Sequence, residues 1–379
     1  MKSKTSTNVS ESADLAERDI THMRRAIALA SQAIGRTAPN PPVGCVLVKN
    51  GRVIGEGYHR KAGLPHAERD ALANALNDTK GATAYVTLEP CNHHGRTPPC
   101  TDALLEAGIQ RVVVGAVDPN PRVSGAGLER LRVAGVEVVA GVCEHQALEL
   151  IAPFTRHMLH RRPLVTIKIA CTLDGKIATS SGHSQWITGP EARLDVHRLR
   201  NHVDAIAVGA GTVRTDNPRL TTRLPDDSGR SPLRVIVSTR LNLPMDAQIF
   251  DAELASNTVI FCAETNPRVE ASFAKKGVEV IPVGHGSGEG VALDIMLDML
   301  ARRDVMWLMV EGGTGLSSSF LQQGLVDTLR IYQAPKVIGA DGLSWAGAMG
   351  LRTMEDVQAW SLKQVQQLGS DIRIDLQRT

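Results

Sequence analysis

Two short motifs carry the residue types of a hydrolytic metal centre. The stretch PHAER sets His66 and Glu68 two residues apart at the start of a helix, and EPCNHHGRTPPC sets Cys91 and Cys100 in a loop after a buried strand. One imidazole and two thiolates leave the fourth tetrahedral position of a zinc ion open for water, as a catalytic site requires. Zinc lowers the pKa of such a water towards neutrality. A nearby carboxylate that is not a ligand can take the proton and later deliver it to a departing amine, and Glu68 stands in that position. The chemistry suggested is hydrolytic deamination of an aromatic ring, whose signature is H-x-E followed by P-C-x-x-C. Here eight residues rather than two separate the cysteines. A structural zinc module is the rival reading, but it would be closed by a fourth protein ligand and would leave Glu68 without a purpose.

Other residues around these motifs are less specific. His93 and His94 lie inside the cysteine loop and compete as ligands at most one at a time, so a substrate-facing or structural role is the better reading. Asn40, in APNPPVG, is placed to hydrogen-bond a polar heterocycle, although Asn before Pro also simply forms turns. Cys45, Cys143, Cys171 and Cys262 sit in apolar strands or beside a helix, where cysteine behaves as a small hydrophobe. In the second half, GGTG at 312–315 follows a strand and precedes a helix, so its backbone amides suit a phosphate. It is not the G-x-G-x-x-G fingerprint, and by itself it leaves the second half without an assigned ligand.

The elements that must position these residues follow from periodicity. Apolar residues recur at helical spacing from His22 to Ile34, and Gly35 with Pro39, Pro41 and Pro42 stops the helix. Val43 to Val48 and Arg52 to Tyr58 read as strands of a hairpin turned at Asn50-Gly51. Strands at 84–88, 112–117 and 136–141 alternate with helices at 66–76 and 125–134, an α/β sheet covered by helices. Residues 143–162 are helix-like and end in RHMLHRRP, the candidate linker. Beyond Pro163, strands at 164–171, 205–209, 233–238, 257–262, 278–283 and 305–310 again alternate with helices, near 189–200 and 292–302 among others. The domains expected are a disordered tail at 1–19, a zinc-dependent domain at 20–145, a linker at 146–162 and a second α/β domain at 163–379.

Composition bounds the remaining possibilities. A chain of 379 residues with 42% hydrophobic and 22% charged residues can build two full cores. A net charge of +2 with the charges scattered, and only 3% aromatics, argues against nucleic-acid binding. Six dispersed cysteines fit a reducing cytoplasm rather than a disulfide framework. No apolar run approaches the roughly eighteen residues that cross a bilayer, and the N-terminus has no signal peptide. A cytoplasmic enzyme without membrane contact is expected.

With NPPVGCVLV, PHAE, EPCNHHGRTPPC and DPNPRVSGAGLERLRVAGVEV in order, the first half resembles the deaminase domain of the bifunctional riboflavin-biosynthesis enzymes, in which the long cysteine loop is usual. The second half resembles the reductase domain of the same family through TIKIACTLDGKIAT, SQWITGPEAR, AVGAGTVRTDNPRLTTR and MVEGGTGLSSSFL. The resemblance implies a cytidine-deaminase-like domain followed by a dihydrofolate-reductase-like one, probing a pyrimidine ribosyl-phosphate substrate with Zn2+ and NADPH in a homo-oligomer. It implies deamination of 2,5-diamino-6-(5-phosphoribosylamino)pyrimidin-4-one and then reduction of the ribosyl chain, giving 5-amino-6-(5-phosphoribitylamino)uracil. Matched by motif, Ala170, Trp186, Thr212, Asp216, Thr239 and the loop Gly313, Thr314, Gly315, Leu316, Ser317, Ser318, Ser319 would hold NADPH. Ser184, Arg200, Leu220, Arg223 and Glu311 would contact substrate, the arginines offering forked donors to a phosphoester. One departure stands out: Arg69-Asp70 follow the His-Ala-Glu motif where the family pattern leads one to expect Val-His.

Overall fold

The computed structural model describes residues 5–76, 78–93, 98–121, 123–226, 229–286 and 290–379, with side chains from Asp14 onwards. Of the expected site residues, only His94 lies outside the described residues. The chain divides into two compact units, Met1–Arg161 and Arg162–Thr379. Among the described residues no helix is long and apolar enough to cross a membrane.

The first unit is built on one mixed sheet with strand order β2-β1-β3-β4-β5. Its strands are β1 (Gly44–Lys49), β2 (Arg52–Tyr58), β3 (Thr83–Leu88), β4 (Arg111–Ala116) and β5 (Glu137–Ala140). β1 runs antiparallel to both β2 and β3, whereas β3, β4 and β5 are parallel. The hairpin turn places Asn50 and Gly51 both at positive φ, 51° and 71°, as a two-residue turn between twisted strands demands. Helices α1 (Thr5–Ser31), α2 (Ala67–Ala73), α3 (Cys100–Glu106), α4 (Ala126–Val133), α5 (Glu144–Leu150) and α6 (Ala152–His160) complete the unit. Met23 and Ala26 of α1 cover the sheet face made by Val46, Val48, Tyr85 and Val113. On the other face Ala67 and Ala71 of α2, Leu104 of α3 and Leu128 and Leu131 of α4 pack on Leu47, Val86, Val112 and Val114.

Two expectations are corrected here. The N-terminal segment expected to be a disordered tail to residue 19 is helical from Thr5, and Asp19 is buried. Its carboxylate receives two hydrogen bonds of 2.8 Å from the Arg111 guanidinium and one of 2.9 Å from the Tyr85 hydroxyl, partners brought from β4 and β3. The segment 146–162, expected as a linker, forms most of α5 and all of α6. Ala147 and Ile151 are buried with Leu88 and Ala116, which ties this stretch to the first unit.

The second unit holds a nine-stranded sheet ordered β11-β10-β9-β8-β12-β6-β13-β16-β15. The strands are β6 (Leu164–Thr172), β8 (Ala205–Gly209), β9 (Leu233–Ser238), β10 (Thr258–Cys262), β11 (Glu279–Pro282), β12 (Trp307–Val310), β13 (Thr328–Ala334), β15 (Trp360–Leu368) and β16 (Asp371–Arg378). A short pair, β7 (Lys176–Ala178) and β14 (Leu343–Ser344), stands apart. The seven strands from β11 to β13 are parallel; β16 and β15 add an antiparallel edge. Helices α7 (Pro190–His202), α8 (Ala210–Asp216), α9 (Ala252–Ala255), α10 (Pro267–Lys275), α11 (Leu293–Ala301) and α12 (Thr314–Gln322) provide the crossovers and flanking layers. Two cores result, one gathering Val165, Ile167, Val235, Phe261 and Leu297, the other Ile206, Val208, Ile236, Ile260 and Phe273. Such a parallel sheet leaves its binding crevice at the carboxyl ends of the strands.

Candidate active sites

In the first unit, glycine makes room for the helix that bears the candidate base. A Cβ on Gly57 would lie 2.2 Å from the Ala71 nitrogen, so only glycine lets α2 sit this close to β2. His66 is the residue just before α2, in extended conformation, and its side chain is not spent on capping the helix. Glu68, one residue inside α2, is buried. Cys91 leaves the end of β3 and Cys100 opens α3.

These residues converge. His66 Nδ1 lies 3.5 Å from Cys91 Sγ and 3.4 Å from Cys100 Sγ, and the Cys100 amide donates to Cys91 Sγ at 3.3 Å. All three ligand atoms lie within 4.8 Å of one another, the one such metal-ligand cluster among the described residues. Bond lengths of ~2.0 Å to nitrogen and ~2.3 Å to sulfur at tetrahedral angles imply nitrogen–sulfur separations of roughly 3.5 Å, so the donor set fits zinc. A hydrogen bond from the Cys100 thiol, then one with His66, hold the Cys91 thiol down at about 4 against its burial. The same bond pushes Cys100 up. Burial first, and the negative Cys91 sulfur second, push the Glu68 carboxyl up to about 7, where a group can both accept and return a proton.

Supporting contacts surround the cluster. Asn40 Nδ2 meets His59 Nε2 at 3.1 Å, and the other ring nitrogen of His59 meets the Pro65 carbonyl at 3.0 Å. The His59 ring stands edge-on to the His66 ring with centroids 5.3 Å apart. Burial holds His59 below the usual histidine range. Glu89, also buried, accepts hydrogen bonds from the amides of Asp118, Gly125 and Gly127 and so fixes the chain two residues before Cys91. His93 is exposed and outside the cluster. His59 and Glu89 escape a reading by motif because their partners come from distant loops.

The departure after His-Ala-Glu has a structural account. Arg69 Nη2 donates to the carbonyls of Pro98 and Pro99, at 3.2 and 3.3 Å, and thereby pins the chain entering Cys100. Asp70 Oδ2 accepts from the Tyr58 amide at 3.1 Å and from Arg60 at 3.2 Å, tying α2 to the end of β2.

In the second unit, strand register builds a charged cluster. Val310, the last residue of β12, pairs with Ile167 of β6, so Glu311, just past the end of β12, and Lys168, the next residue of β6, come side by side. Lys168 Nζ lies 3.1 Å from Glu311 Oε1, and Arg200 of α7 reaches Oε2 through Nε and Nη2 at 3.2 and 2.9 Å. Burial would raise the Glu311 carboxyl, but the Arg200 and Lys168 charges outweigh it and hold it at about 2. Arg200 also donates to the Thr221 carbonyl at 3.1 Å, and the Arg223 amide donates to His197 Nδ1 at 3.3 Å. Burial, then the charges of Arg200 and Arg223, hold His197 down at about 4. Arg200, Glu311 and Arg223 are thus neighbours, joined by Lys168 and His197, which the motifs did not single out. Leu220 is buried at φ 51°, so its backbone rather than its side chain is left for contacts.

Beside this cluster a cleft of ≈ 520 Å³ opens at the strand ends, lined by Gly209, Val237, Thr239, Leu293, Leu316 and Ser319 among others. A Cβ on Gly312 would sit 3.8 Å from the Gly209 nitrogen, so two glycine turns face each other there, one leading into α8 and one into α12. The stretch expected as a Gly313–Ser319 loop is corrected: from Thr314 it is the first turns of α12, and it offers amides rather than a loop. The hydroxyls of Ser318 and Ser319 are spent on the Thr314 and Gly315 carbonyls, at 2.7 and 3.0 Å, and Ser317 is buried. This fits a dinucleotide whose phosphates meet backbone amides at a helix start. Thr212 Oγ1 lies by Gly312, and Asp216 closes α8 with its carboxyl raised by burial. Ala170 lies on β6 paired with Tyr332, Ser184 is half-buried, and exposed Trp186 stacks under the Arg193 guanidinium at 4.7 Å. Those three do not line the cleft, nor do Thr212 and Asp216; of the expected cofactor residues Thr239, Leu316 and Ser319 do.

Known proteins share both halves. Residues 16–116 match the cytidine and deoxycytidylate deaminase zinc-binding region, and residues 163–374 match the RibD C-terminal domain. The riboflavin biosynthesis protein RibD of Aquifex aeolicus is 44% identical over 362 residues, covering 96% of this chain and 99% of that protein. RibD of Escherichia coli is 38% identical over 369 residues, covering 94% and 99%. The Acinetobacter baumannii RibD structure superposes with a TM-score of 0.86 at 39% identity, covering 96% and 99%. A Thermotoga maritima diaminohydroxyphosphoribosylaminopyrimidine deaminase/5-amino-6-(5-phosphoribosylamino)uracil reductase superposes with a TM-score of 0.84 at 39% identity and the same coverage.

Proposed function

The chain belongs to the RibD family and is a bifunctional deaminase and reductase of riboflavin biosynthesis, a cytidine-deaminase-like domain followed by a dihydrofolate-reductase-like one, and from that premise we propose which residues carry each reaction. The deaminase uses zinc and the reductase a nicotinamide cofactor.

In the first unit His66, Cys91 and Cys100 hold the zinc. When bound, the ion supplies a Lewis acid that makes water nucleophilic at neutral pH. Glu68 accepts the proton released as water adds to ring carbon C2 of 2,5-diamino-6-(5-phosphoribosylamino)pyrimidin-4-one, and returns it to the 2-amino group as ammonia departs. Asn40, braced by His59, hydrogen-bonds the pyrimidine. The observation that carries this reading is the buried carboxyl of Glu68, two residues along the chain from His66, whose ligand atom lies within 4.8 Å of those of Cys91 and Cys100.

In the second unit NADPH, when bound, would supply a hydride for ribosyl C1′, with a proton from solvent going to the ring oxygen as the C1′–O4′ bond opens, to give the ribityl chain of 5-amino-6-(5-phosphoribitylamino)uracil. The free amides from Gly313 to Leu316 at the start of α12, with Thr212, Asp216 and Thr239, would hold the cofactor, the Ser317 to Ser319 turn backing them, and Ala170 and Trp186, outside the cleft, would meet only a part of it that extends beyond. Arg200 and Arg223 bind the substrate phosphate and ribose with Ser184 and the Leu220 backbone. Glu311 holds Arg200 and Lys168 in place and contacts the sugar.

The test is the purified full-length protein with the diaminopyrimidine substrate, followed for ammonia release and NADPH oxidation together. Ammonia without NADPH, and one NADPH oxidised per ammonia when it is supplied, is the expected result. NADPH oxidation with no ammonia formed at all would overturn the reading.

A further inference from the structure

Strand β16 holds α7 at two places. At the start of the helix the buried Asp371 carboxylate accepts from the Gly189 amide at 2.7 Å. Further along, Arg373 Nη1 donates to both oxygens of Asp195, at 3.1 and 3.0 Å, and the Tyr332 hydroxyl of β13 donates to Asp195 Oδ2 at 2.8 Å. Asp195, Arg373 and Tyr332 are all buried. Register explains the meeting, because Tyr332 pairs with Arg373 across the two strands and Arg330 with Asp375. That second pair closes the set: Arg330 Nε donates to Asp375 Oδ1 at 2.6 Å, and Arg373 Nε lies 3.1 Å from Asp375 Oδ2.

A buried ion pair of this kind is weak evidence for stability, since well-packed apolar residues of similar volume commonly serve as well or better. What it adds is direction. The buried apolar residues of α7, Ala192, Val196 and Leu199, resist separation from their cores but hardly resist sliding or turning, because the hydrophobic effect has no direction. Arg200 lies five residues beyond Asp195, roughly 7.5 Å along the helix axis, and meets Glu311 Oε2. On the sheet, the Tyr332 ring lies 6.0 Å from Lys168 Nζ, the other cation on Glu311. Asp195 is thus bonded both to the helix that carries one of these cations and to the ring beside the other.

Resting on the reading that Arg200 binds the substrate phosphate, we infer that Asp195 and Arg373 are positioning residues of the reductase. They fix the register of α7 on the sheet, and with it the place of Arg200, acting through the helix rather than on the substrate.

The test assays the full-length protein with already deaminated substrate and NADPH, alongside ammonia release and guanidinium denaturation. Asp195→Asn keeps the shape and an acceptor for Tyr332 but turns an amide towards Arg373. It should lower kcat/KM about tenfold to a hundredfold, the scale of a misplacement of about an ångström. The loss should fall chiefly on KM for the phosphoribosyl substrate, with KM for NADPH and ammonia release unmoved. The triple variant Asp195→Leu, Tyr332→Phe, Arg373→Met replaces the set by apolar packing. It should return the denaturation midpoint to near wild type while the substrate KM stays raised, which a merely structural role would not give. A wild-type substrate KM in either variant, or an equal rise in both KM values, overturns the inference alone. Arg200→Gln is the reference: if it leaves the substrate KM unchanged, the reading of Arg200 fails and the inference falls with it.

Discussion

Arg200 presents two nitrogens to a single oxygen of Glu311, Nε at 3.2 Å and Nη2 at 2.9 Å from Oε2, while Lys168 takes the other oxygen at 3.1 Å. One carboxylate thus orders two cations at the strand ends, and its removal leaves both without a counter-charge in a mostly buried place.

Glu311→Gln should therefore destabilise the second unit by about 3 kcal/mol, the scale for breaking a buried ion pair. It should also raise KM for the phosphoribosyl substrate, because Arg200 loses its anchor. Guanidinium denaturation and steady-state kinetics measure the two effects. An unchanged denaturation midpoint would show that the triad is not coupled to the fold.

His197 gives the reductase unit an acid sensitivity. Its folded pKa is held at about 4 by burial and by Arg200 and Arg223, below the ~6.5 of an unfolded histidine. Between about 6.5 and 4 the unfolded chain binds a proton that the folded chain refuses, so stability falls as pH is lowered through that window. His197→Gln should flatten this part of the curve. Parallel curves for the two proteins from pH 7 to 4.5 would assign the sensitivity elsewhere.

Glu68→Gln should abolish deamination while zinc content stays near wild type. The amide keeps the shape of the carboxylate but accepts no proton, and assistance of this kind is typically worth ~100- to ~10,000-fold in rate. Reduction of already deaminated substrate should continue. Near-normal ammonia release by the zinc-loaded variant would remove Glu68 from the mechanism.

Arg69→Leu should loosen zinc rather than disable the chemistry. The guanidinium holds the Pro98 and Pro99 carbonyls that lead into Cys100. Partners that orient a ligand typically contribute 10- to 100-fold in metal affinity. Competition with a chelator should show that loss, and excess zinc should restore deamination, a rescue that Glu68→Gln will not show.

How much of this was legible from sequence differs by residue. Asn50-Gly51 announces its hairpin because the turn needs two positive φ values that these residues tolerate. His66, Glu68, Cys91 and Cys100 are legible because ligand chemistry and local context coincide. β15 escapes a reading by periodicity: it is exposed along nearly its whole length, so no buried face imposes alternation on WSLKQVQQL. Lys168 hides in the apolar run TIKIAC because its partner Glu311 is 143 residues away. Asp19 looks like part of a polar tail for the same reason.

The Asp19 pairing also sets an order for the folding of the first unit. Arg111 lies 92 residues further along the chain, so during synthesis α1 emerges long before the sheet that covers it. Until β3 and β4 arrive, the face bearing Met23 and Ala26 can meet only Val46 and Val48 of β1, and the carboxylate of Asp19 stays in water. The helix therefore completes its docking only with β4, although it is made first. That leaves a nascent chain with a partly uncovered apolar stripe, which a chaperone or a neighbouring nascent chain can reach.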